Sequence, residues 1–86
     1  MNNEEALHKI REIFAKNFNI NPAEVQLTSK LYEELGLDSL DAVDLVLELQ
    51  EITGKKIKPE VFKGVRTVSD VVMVVISLQN ESGTEQ

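Results

Sequence analysis

The sequence contains no cysteine and no tryptophan, and aromatic residues make up 5% of it. Without cysteine the chain cannot form a disulfide framework, a thiolate nucleophile or a cysteine-based metal site. Long apolar runs are also missing: the longest, Val71–Ile76, is far shorter than the roughly 20 residues of a membrane-spanning helix. The acidic start, Met1–Glu5, is unlike a secretory or transit peptide. We therefore expect a small protein without a membrane span, acting in the cytoplasm.

Positive charge is missing from the middle of the chain, because no Lys or Arg lies between Leu31 and Gly54. The acids of this block are Glu33, Glu34, Asp38, Asp41, Asp44, Glu48 and Glu51. The next segment is basic, with Lys55, Lys56, Lys58, Lys63 and Arg66 opposed only by Glu60. The formal net charge of -6 argues against a nucleic-acid ligand, since phosphate backbones favour basic surfaces. It favours a positively charged partner.

Catalytic motifs are lacking as well. His8 is the only histidine, and we interpret it as a surface residue because charged residues surround it. The sequence has no Gly-x-Ser-x-Gly elbow and no glycine-rich phosphate loop. Asp38, Asp41 and Asp44 are three residues apart, without the alternating spacing or the glycine of a calcium-binding loop. The sequence therefore predicts neither an enzyme nor a dedicated metal site.

Apolar residues recur at helical spacing in three stretches. We predict a first helix over residues 3–17, begun by a capping box of Asn2 and Glu5. A second should run from Ser39 or Leu40 to about Thr53, with Gly54 as its stop. The last follows the capping-box pattern at 67–70; its β-branched residues also suit a strand, but no second strand is available to pair with it. We expect one domain over 1–86, ordered at about 3–79, with a polar tail at 80–86.

The two connections between these helices carry short helical signals. Asn21-Pro22-Ala23-Glu24 combines a cap, a proline at the first helical position and an acid, which predicts one or two turns. Another short helix is predicted over 59–63, ended by Gly64. The apolar residues expected to fix both connections to the core are Val25, Leu27, Leu31, Leu35, Leu37, Ile57, Val61, Phe62 and Val65.

The second helix has two apolar sides. Its core side is predicted to hold Ala42, Leu45, Val46, Leu49, Ile52 and Thr53, which share one arc of a helical wheel. The opposite side carries Leu40, Val43 and Leu47, with Asp41, Asp44, Glu48 and Glu51 filling the arc between. These acids form like-charge pairs that cost a few tenths of a kcal/mol each in an isolated helix. The acids lower the stability of the helix, so helix stability does not explain their presence. Together with the exposed apolar strip, they indicate a contact surface rather than ordinary solvated surface.

The loop meets this helix at residues 36–39. Gly36 permits a sharp turn, and either Asp38 or Ser39 can cap the helix. The ordinary interpretation of Ser39 is therefore a capping hydroxyl. A helix N-terminus also favours an attached anion such as a phosphodiester, through its free N–H groups and dipole. The charge of Asp38 opposes such an anion, which indicates that Asp38 serves the attachment step or the cap.

This junction resembles the signature of acyl carrier proteins in two consecutive runs, Leu35–Leu40 (LGLDSL) and Asp41–Val46 (DAVDLV). The resemblance extends from the first helix to Val75. It implies an all-α, four-helix bundle with three main helices and one short helix. It also implies that a separate phosphopantetheinyl transferase moves 4′-phosphopantetheine from coenzyme A to Ser39, within an attachment motif that includes Asp38. Acyl groups would then be held on this arm as thioesters.

In the family the second helix is the surface that partner enzymes contact. The matching positions are Leu40, Asp41, Val43, Asp44, Leu47, Glu48 and Glu51. The expected partners are acyl-transfer and condensing enzymes of fatty-acid or polyketide-type biosynthesis, with basic docking patches, acting on a monomeric carrier. The basic segment 55–63 departs from housekeeping carriers, which are usually acidic there, and is similar to carriers of specialised clusters such as those making aryl polyenes. An aminoacyl or peptidyl carrier and an unmodified helical interaction module remain alternatives.

Overall fold

The computed structural model describes residues 2–81. Over this range the chain forms three α-helices: α1 (Asn3–Asn17), α2 (Ser39–Thr53) and α3 (Val68–Glu81). Two 3₁₀ helices occupy the connections, Pro22–Glu24 and Pro59–Gly64, and the second is called the short helix below. The predicted order of helices is confirmed, and α3 is a helix rather than a strand. It continues two residues past the predicted boundary at 79, and residues 82–86 of the predicted tail lie outside the described range.

The helix ends follow local sequence chemistry. At the start of α1, the side chain of Asn2 accepts the N–H of Glu5 at 2.8 Å, and Glu5 accepts the N–H of Asn2 at 3.1 Å. The end of α2 is set by Gly54, whose φ of 70° is a left-handed conformation that suits glycine. Its N–H donates to the carbonyl of Gln50 at 2.8 Å. Both predicted signals are therefore confirmed.

The core lies between the three α-helices and is closed by the two connections. Its fully buried side chains include Phe14 of α1, Leu45 and Leu49 of α2, and Val71 and Val75 of α3. Of the predicted α2 core side, Leu45, Val46 and Leu49 are buried, whereas Ala42, Ile52 and Thr53 are half-buried at its margin. The three helices bury the apolar stripes that their sequences predict. Burial of this apolar surface is the main favourable contribution to the folding free energy of a small domain.

Two residues predicted to fix the connections are instead exposed. The side chain of Leu27 is 44% exposed. Its backbone attaches the connection to α3 instead, because its carbonyl accepts the N–H of Ser69 at 2.9 Å. Val61 is 48% exposed because the short helix is 3₁₀, with three residues per turn. That period aligns Phe62 with Val65, and both are buried, while Val61 lies off their line. The other residues predicted to fix the connections are buried or half-buried.

The loop before α2 is attached to the beginning of α3 by backbone hydrogen bonds. An isolated antiparallel bridge pairs Lys30 with Thr67, and the N–H of Leu31 donates to the carbonyl of Arg66 at 2.9 Å. The N–H of Val68 donates to the carbonyl of Ser29 at 3.0 Å. We call this set of bonds the clasp. The clasp fixes the loop that leads to α2 against the start of α3, while the start of α2 itself stays exposed.

Within residues 2–81, no helix combines the length and the apolar character needed to cross a membrane.

Candidate functional site

The start of α2 is capped by Asp38, not by Ser39. Asp38 Oδ1 accepts the N–H of Asp41 at 2.9 Å, and Asp41 Oδ2 accepts the N–H of Asp38 at 3.2 Å, which is a reciprocal capping box. Asp38 has the extended backbone of an N-cap, and Ser39 is the first helical residue. The two acids therefore use their carboxylates to hold the helix end, and the capping role that either residue could have filled belongs to Asp38.

This division of roles leaves the Ser39 hydroxyl available. Ser39 is exposed, and within the described residues its hydroxyl makes no hydrogen bond. The turn before it is fixed: Gly36 has a φ of 76°, and Leu37 is buried with its N–H donating to the carbonyl of Leu31 at 3.0 Å. A buried leucine and a left-handed glycine thus present an unbonded hydroxyl to solvent at the positive end of the α2 dipole.

The other described serines lack this arrangement. Ser29 is buried, and its hydroxyl both accepts the N–H of Gln26 at 2.9 Å and donates to the carbonyl of Glu24 at 3.0 Å. Ser69 is half-buried in the first turn of α3, and Ser77 lies well inside that helix. Among the serines of residues 2–81, Ser39 alone combines exposure with the first position of a helix.

The predicted contact surface lies on α2 next to this serine. Leu40 is 76% exposed, Val43 54% and Leu47 52%, which is unusual for three large apolar residues on one helix. Asp44 and Glu51 are exposed, while Asp41 and Glu48 are half-buried. In the described part of the chain no basic side chain forms an ion pair with any of these acids. We call the seven residues 40, 41, 43, 44, 47, 48 and 51 the α2 face.

A groove of about 320 Å³ separates α2 from the short helix. Its lining residues are Ala42, Val43, Val46, Leu47, Gln50, Ile57 and Phe62. On α2, Ser39, Val43, Val46 and Gln50 follow one another at intervals of four, three and four residues, so they lie along one stripe of the helix. The groove therefore begins one turn from Ser39 and extends along α2 away from it.

Gln50 is the residue of this region that sequence reasoning missed. Its side-chain carbonyl Oε1 accepts the N–H of Ile57 at 2.8 Å, which ties the end of α2 to the segment leading into the short helix. The available signal was its position on the wheel, between the core side and the apolar strip, where a lone amide borders two apolar surfaces.

Residues 8–75 match the family model described as a phosphopantetheine attachment site. The chain is 58% identical over 78 residues to "Acyl carrier protein 2" of Ralstonia nicotianae, and the match covers 91% of this chain and 96% of that protein. The chain belongs to the acyl carrier protein family. It is also 42% identical over 66 residues to "Acyl carrier protein" of Wolinella succinogenes, covering 77% of this chain and 87% of that one.

The fold agrees with this membership. A crystal structure of an acyl carrier protein from Thermotoga maritima superposes with a TM-score of 0.83 at 26% identity, covering 93% of each chain. The predicted all-α, acyl-carrier-like fold is confirmed, with the short fourth helix in 3₁₀ form. An acyl carrier protein is a carrier and not an enzyme, and its domain holds 4′-phosphopantetheine covalently. It works with a phosphopantetheinyl transferase and with biosynthetic enzymes.

The start of α2 fits such a group. A phosphodiester needs a hydroxyl that a transferase can reach, and Ser39 offers one that is exposed and free of other bonds in the described part of the chain. The negative phosphate would lie at a helix N-terminus, where the helix dipole favours it.

Proposed function

We propose that Ser39 is the attachment site of 4′-phosphopantetheine in this acyl carrier protein. The observation that carries the proposal is the exposed Ser39 hydroxyl, which Asp38 relieves of the capping role. In the transfer, Ser39 Oγ loses its proton and bonds to the phosphorus of the arm, while the adenosine bisphosphate part of coenzyme A leaves. The terminal thiol of the arm supplies the thioester chemistry that a chain without cysteine lacks.

The α2 face is proposed as the surface that partner enzymes contact. Its apolar strip would be covered by a partner, and its unpaired acids would attract basic patches on the transferase and on acyl-transfer and condensing enzymes. Because these acids lie on the helix that begins at Ser39, attraction between charges would also orient the carrier during encounter.

The groove is proposed as the place where an acyl chain folds back. Six of its seven lining residues are apolar, and it starts one helical turn from Ser39. An acyl chain left in water costs about 0.8 kcal/mol per CH₂, so an adjacent apolar groove gives it a favourable site. This supports acyl cargo of fatty-acid or polyketide-type biosynthesis over aminoacyl or peptidyl cargo. The aryl-polyene assignment stays a prediction from the basic segment 55–63.

The carrier is proposed to act as a monomer in the cytoplasm, where coenzyme A is available to the transferase. An unmodified interaction module would use the same α2 face, but a match to a phosphopantetheine attachment model over residues 8–75 favours the carrier.

Intact mass after incubation with coenzyme A and a broad-specificity phosphopantetheinyl transferase tests the assignment. We expect one phosphopantetheine on the wild type, one on Ser77→Ala and none on Ser39→Ala. Ser77 is the matched control because it is also exposed on a helix. Modification that persists in Ser39→Ala would place the arm elsewhere, and an unmodified wild type would favour the interaction module.

A further inference from the structure

The wall of the groove opposite α2 carries positive charge. Its exposed lysines are Lys56, Lys58 and Lys63. The first two flank Ile57 and the third follows Phe62 in the chain, so all three adjoin residues that line the groove. In the part of the chain that the structure describes, none of these lysines forms an ion pair. We call the three residues the lysine bank.

The acids of α2 lie on the other side of its apolar strip. On a helical wheel of about 100° per residue, the groove residue Val46 is followed by the exposed Val43 and Leu47. Asp44 and Glu48 come next around the helix, on the side turned away from the groove. A path across this surface therefore meets lysines first, then the groove with the apolar strip, and then acids.

The two sets of charges remain available to a partner. The groove and the apolar strip separate them, and over residues 2–81 no ion pair joins an acid of the α2 face to the lysine bank. Apolar side chains are exposed on both sides of the groove, with Leu47 52% exposed on α2 and Val61 48% exposed on the short helix. An apolar centre with a polar rim is the usual arrangement of a protein–protein interface.

We propose that this surface binds a partner protein whose contact patch has three complementary parts: a basic edge for the α2 acids, an apolar centre, and an acidic edge for the lysine bank. The inference rests on the proposed docking role of the α2 face and adds the lysines to it. A partner with basic residues on both edges meets like charges at the lysine bank, so the lysines select against it. An anionic lipid surface fits less well, because the α2 acids repel it.

Three helical peptides with the same leucine stripe measure this match. Each has about 18 residues, enough to form a helix on the surface, and they differ only in the two edges beside the stripe. One has lysine on one edge and glutamate on the other, one has lysine on both edges, and one has glutamate on both. In fluorescence anisotropy at about 0.15 M salt, where charges act mainly within about 8 Å, we expect the mixed peptide to bind the apo protein about 3- to 10-fold more tightly than either.

Lys58→Glu combined with Lys63→Glu is the variant that tests the lysines. It places acids on both edges of the surface, so we expect the ratio of mixed-peptide affinity to all-lysine-peptide affinity to fall about 10-fold. Lys9→Glu combined with Lys16→Glu is the matched control, because it changes the net charge equally at two exposed positions of α1. We expect the ratio to change by less than about 2-fold in this control. A similar fall in both variants, or in neither, contradicts the role of the lysine bank.

The peptide results separate the lysine bank from the rest of the proposed function. The peptides bind the apo protein, so the outcome does not depend on modification of Ser39, which intact mass decides. If the mixed and all-lysine peptides bind the wild type equally while the all-glutamate peptide binds weakly, the docking role of the α2 acids stands and the lysines have no part in it. If all three peptides bind equally, both sets of charges are ordinary surface and the two docking proposals fall together.

Two further measurements test other occupants of this surface. A wild-type dimer in sedimentation that Lys58→Glu with Lys63→Glu dissociates would assign the surface to a second copy of the chain. Binding to phosphatidylglycerol vesicles that the same variant abolishes would assign the lysines to a lipid surface. We expect neither result, and either one would overturn the proposal.

Discussion

Asp38 is the N-cap of α2, and it also belongs to the attachment motif that we propose around Ser39. Sequence alone left the cap between Asp38 and Ser39, since both residue types favour that position. The backbone decided it: Asp38 is extended and exchanges hydrogen bonds with Asp41, three residues on. Asp41 consequently contributes to the cap and to the α2 face at once, so it is a poor residue with which to test docking alone.

Substitution of Asp38 can separate the cap from the attachment step. Asp38→Asn keeps a side-chain oxygen for the N–H of Asp41, and asparagine caps about as well as aspartate. We expect its stability to fall by less than about 1 kcal/mol, and its kcat/KM for modification at Ser39 to fall about 10- to 100-fold through loss of a charged hydrogen-bonding group. Thermal unfolding and transferase kinetics measure the two effects.

Asp38→Ala is the companion variant for this test. It removes both the charge and the capping oxygen, so we expect about 1 kcal/mol of destabilisation in addition to the slower modification. An Asp38→Asn protein that is modified at the wild-type rate would show that Asp38 serves the cap only.

Helix α2 shows how far a periodic pattern can be interpreted at the scale of an element. Its bounds, its stop at Gly54 and its exposed apolar strip were predicted, because each depends on spacing or on one residue's backbone freedom. The short helix was predicted in place, but Val61 was assigned to the core because the pattern could not distinguish a 3₁₀ period from an α period. Short connections offer too few residues to define a period.

Charge reversal on α2 tests the proposed docking role of its acids. Asp44→Lys combined with Glu48→Lys should lower transferase kcat/KM at low salt and lower it less at high salt, where exposed charges are screened. The new lysines lie three residues from Asp41 and from Glu51, so favourable pairs replace repulsive ones. We expect the melting temperature to be unchanged or slightly higher.

The matched control changes the net charge equally at a distance from α2. Glu12→Lys combined with Glu24→Lys alters two exposed acids on α1 and the first 3₁₀ helix. We expect this protein to be modified at close to the wild-type rate. A similar loss in both double variants would mean that total charge matters and that the α2 acids have no special position.

The start of α3 gives a prediction about pH. Asp70 Oδ2 accepts the backbone N–H of Arg66 at 3.0 Å and that of Thr67 at 3.2 Å, and these bonds hold the pKa of its carboxyl below the ordinary value, against a smaller opposing effect of burial. A lowered pKa means that Asp70 stabilises the fold above the unfolded-state pKa near 3.9, and that this stability is lost as the pH falls through the folded-state value.

An NMR titration of the Asp70 carboxyl carbon should give a midpoint below the ordinary aspartate value. Asp70→Asn retains an accepting oxygen but does not titrate, so the difference in stability between it and the wild type should shrink below about pH 4. A midpoint at or above the ordinary value would contradict the role of these N–H groups.

At the scale of the whole molecule, the sequence predicted the core, and the family resemblance suggested that an acyl chain folds back between the second helix and the short helix, but neither predicted that a groove already exists there. The core follows from apolar stripes on each helix, which are properties of single elements. The groove depends on how α2 packs against the short helix, and on the bond between Gln50 and Ile57, which are seven residues apart. The periodicity of one helix does not determine how far that helix lies from its neighbour.

Loading a medium-length chain tests the groove as a property of the whole fold. Octanoyl on the arm should raise the melting temperature above that of the unacylated holo form, because its buried methylenes leave water at about 0.8 kcal/mol each. Amide signals of Val46 and Phe62, which line the groove, should shift, and buried Val65 should follow if the short helix moves.

A very short cargo such as acetyl serves as the comparison in that experiment, since it is too short to cover the lining. Unchanged melting and unchanged lining signals with octanoyl would indicate that the chain stays in solvent and that the carrier handles another kind of cargo.

The clasp between the loop and α3 has a mechanical consequence. The segment from Gly54 to Arg66 is held at one end by the left-handed turn that closes α2 and at the other by the bond from Leu31 to Arg66. It is therefore a strap with two fixed ends. Beyond Gly54 its described hydrogen bonds to α2 are those from the N–H of Lys55 to Thr53 Oγ1 at 3.2 Å and from the N–H of Ile57 to Gln50 Oε1 at 2.8 Å. We expect a swing of this strap to widen the groove while the start of α2, with the proposed attachment site Ser39, keeps its position.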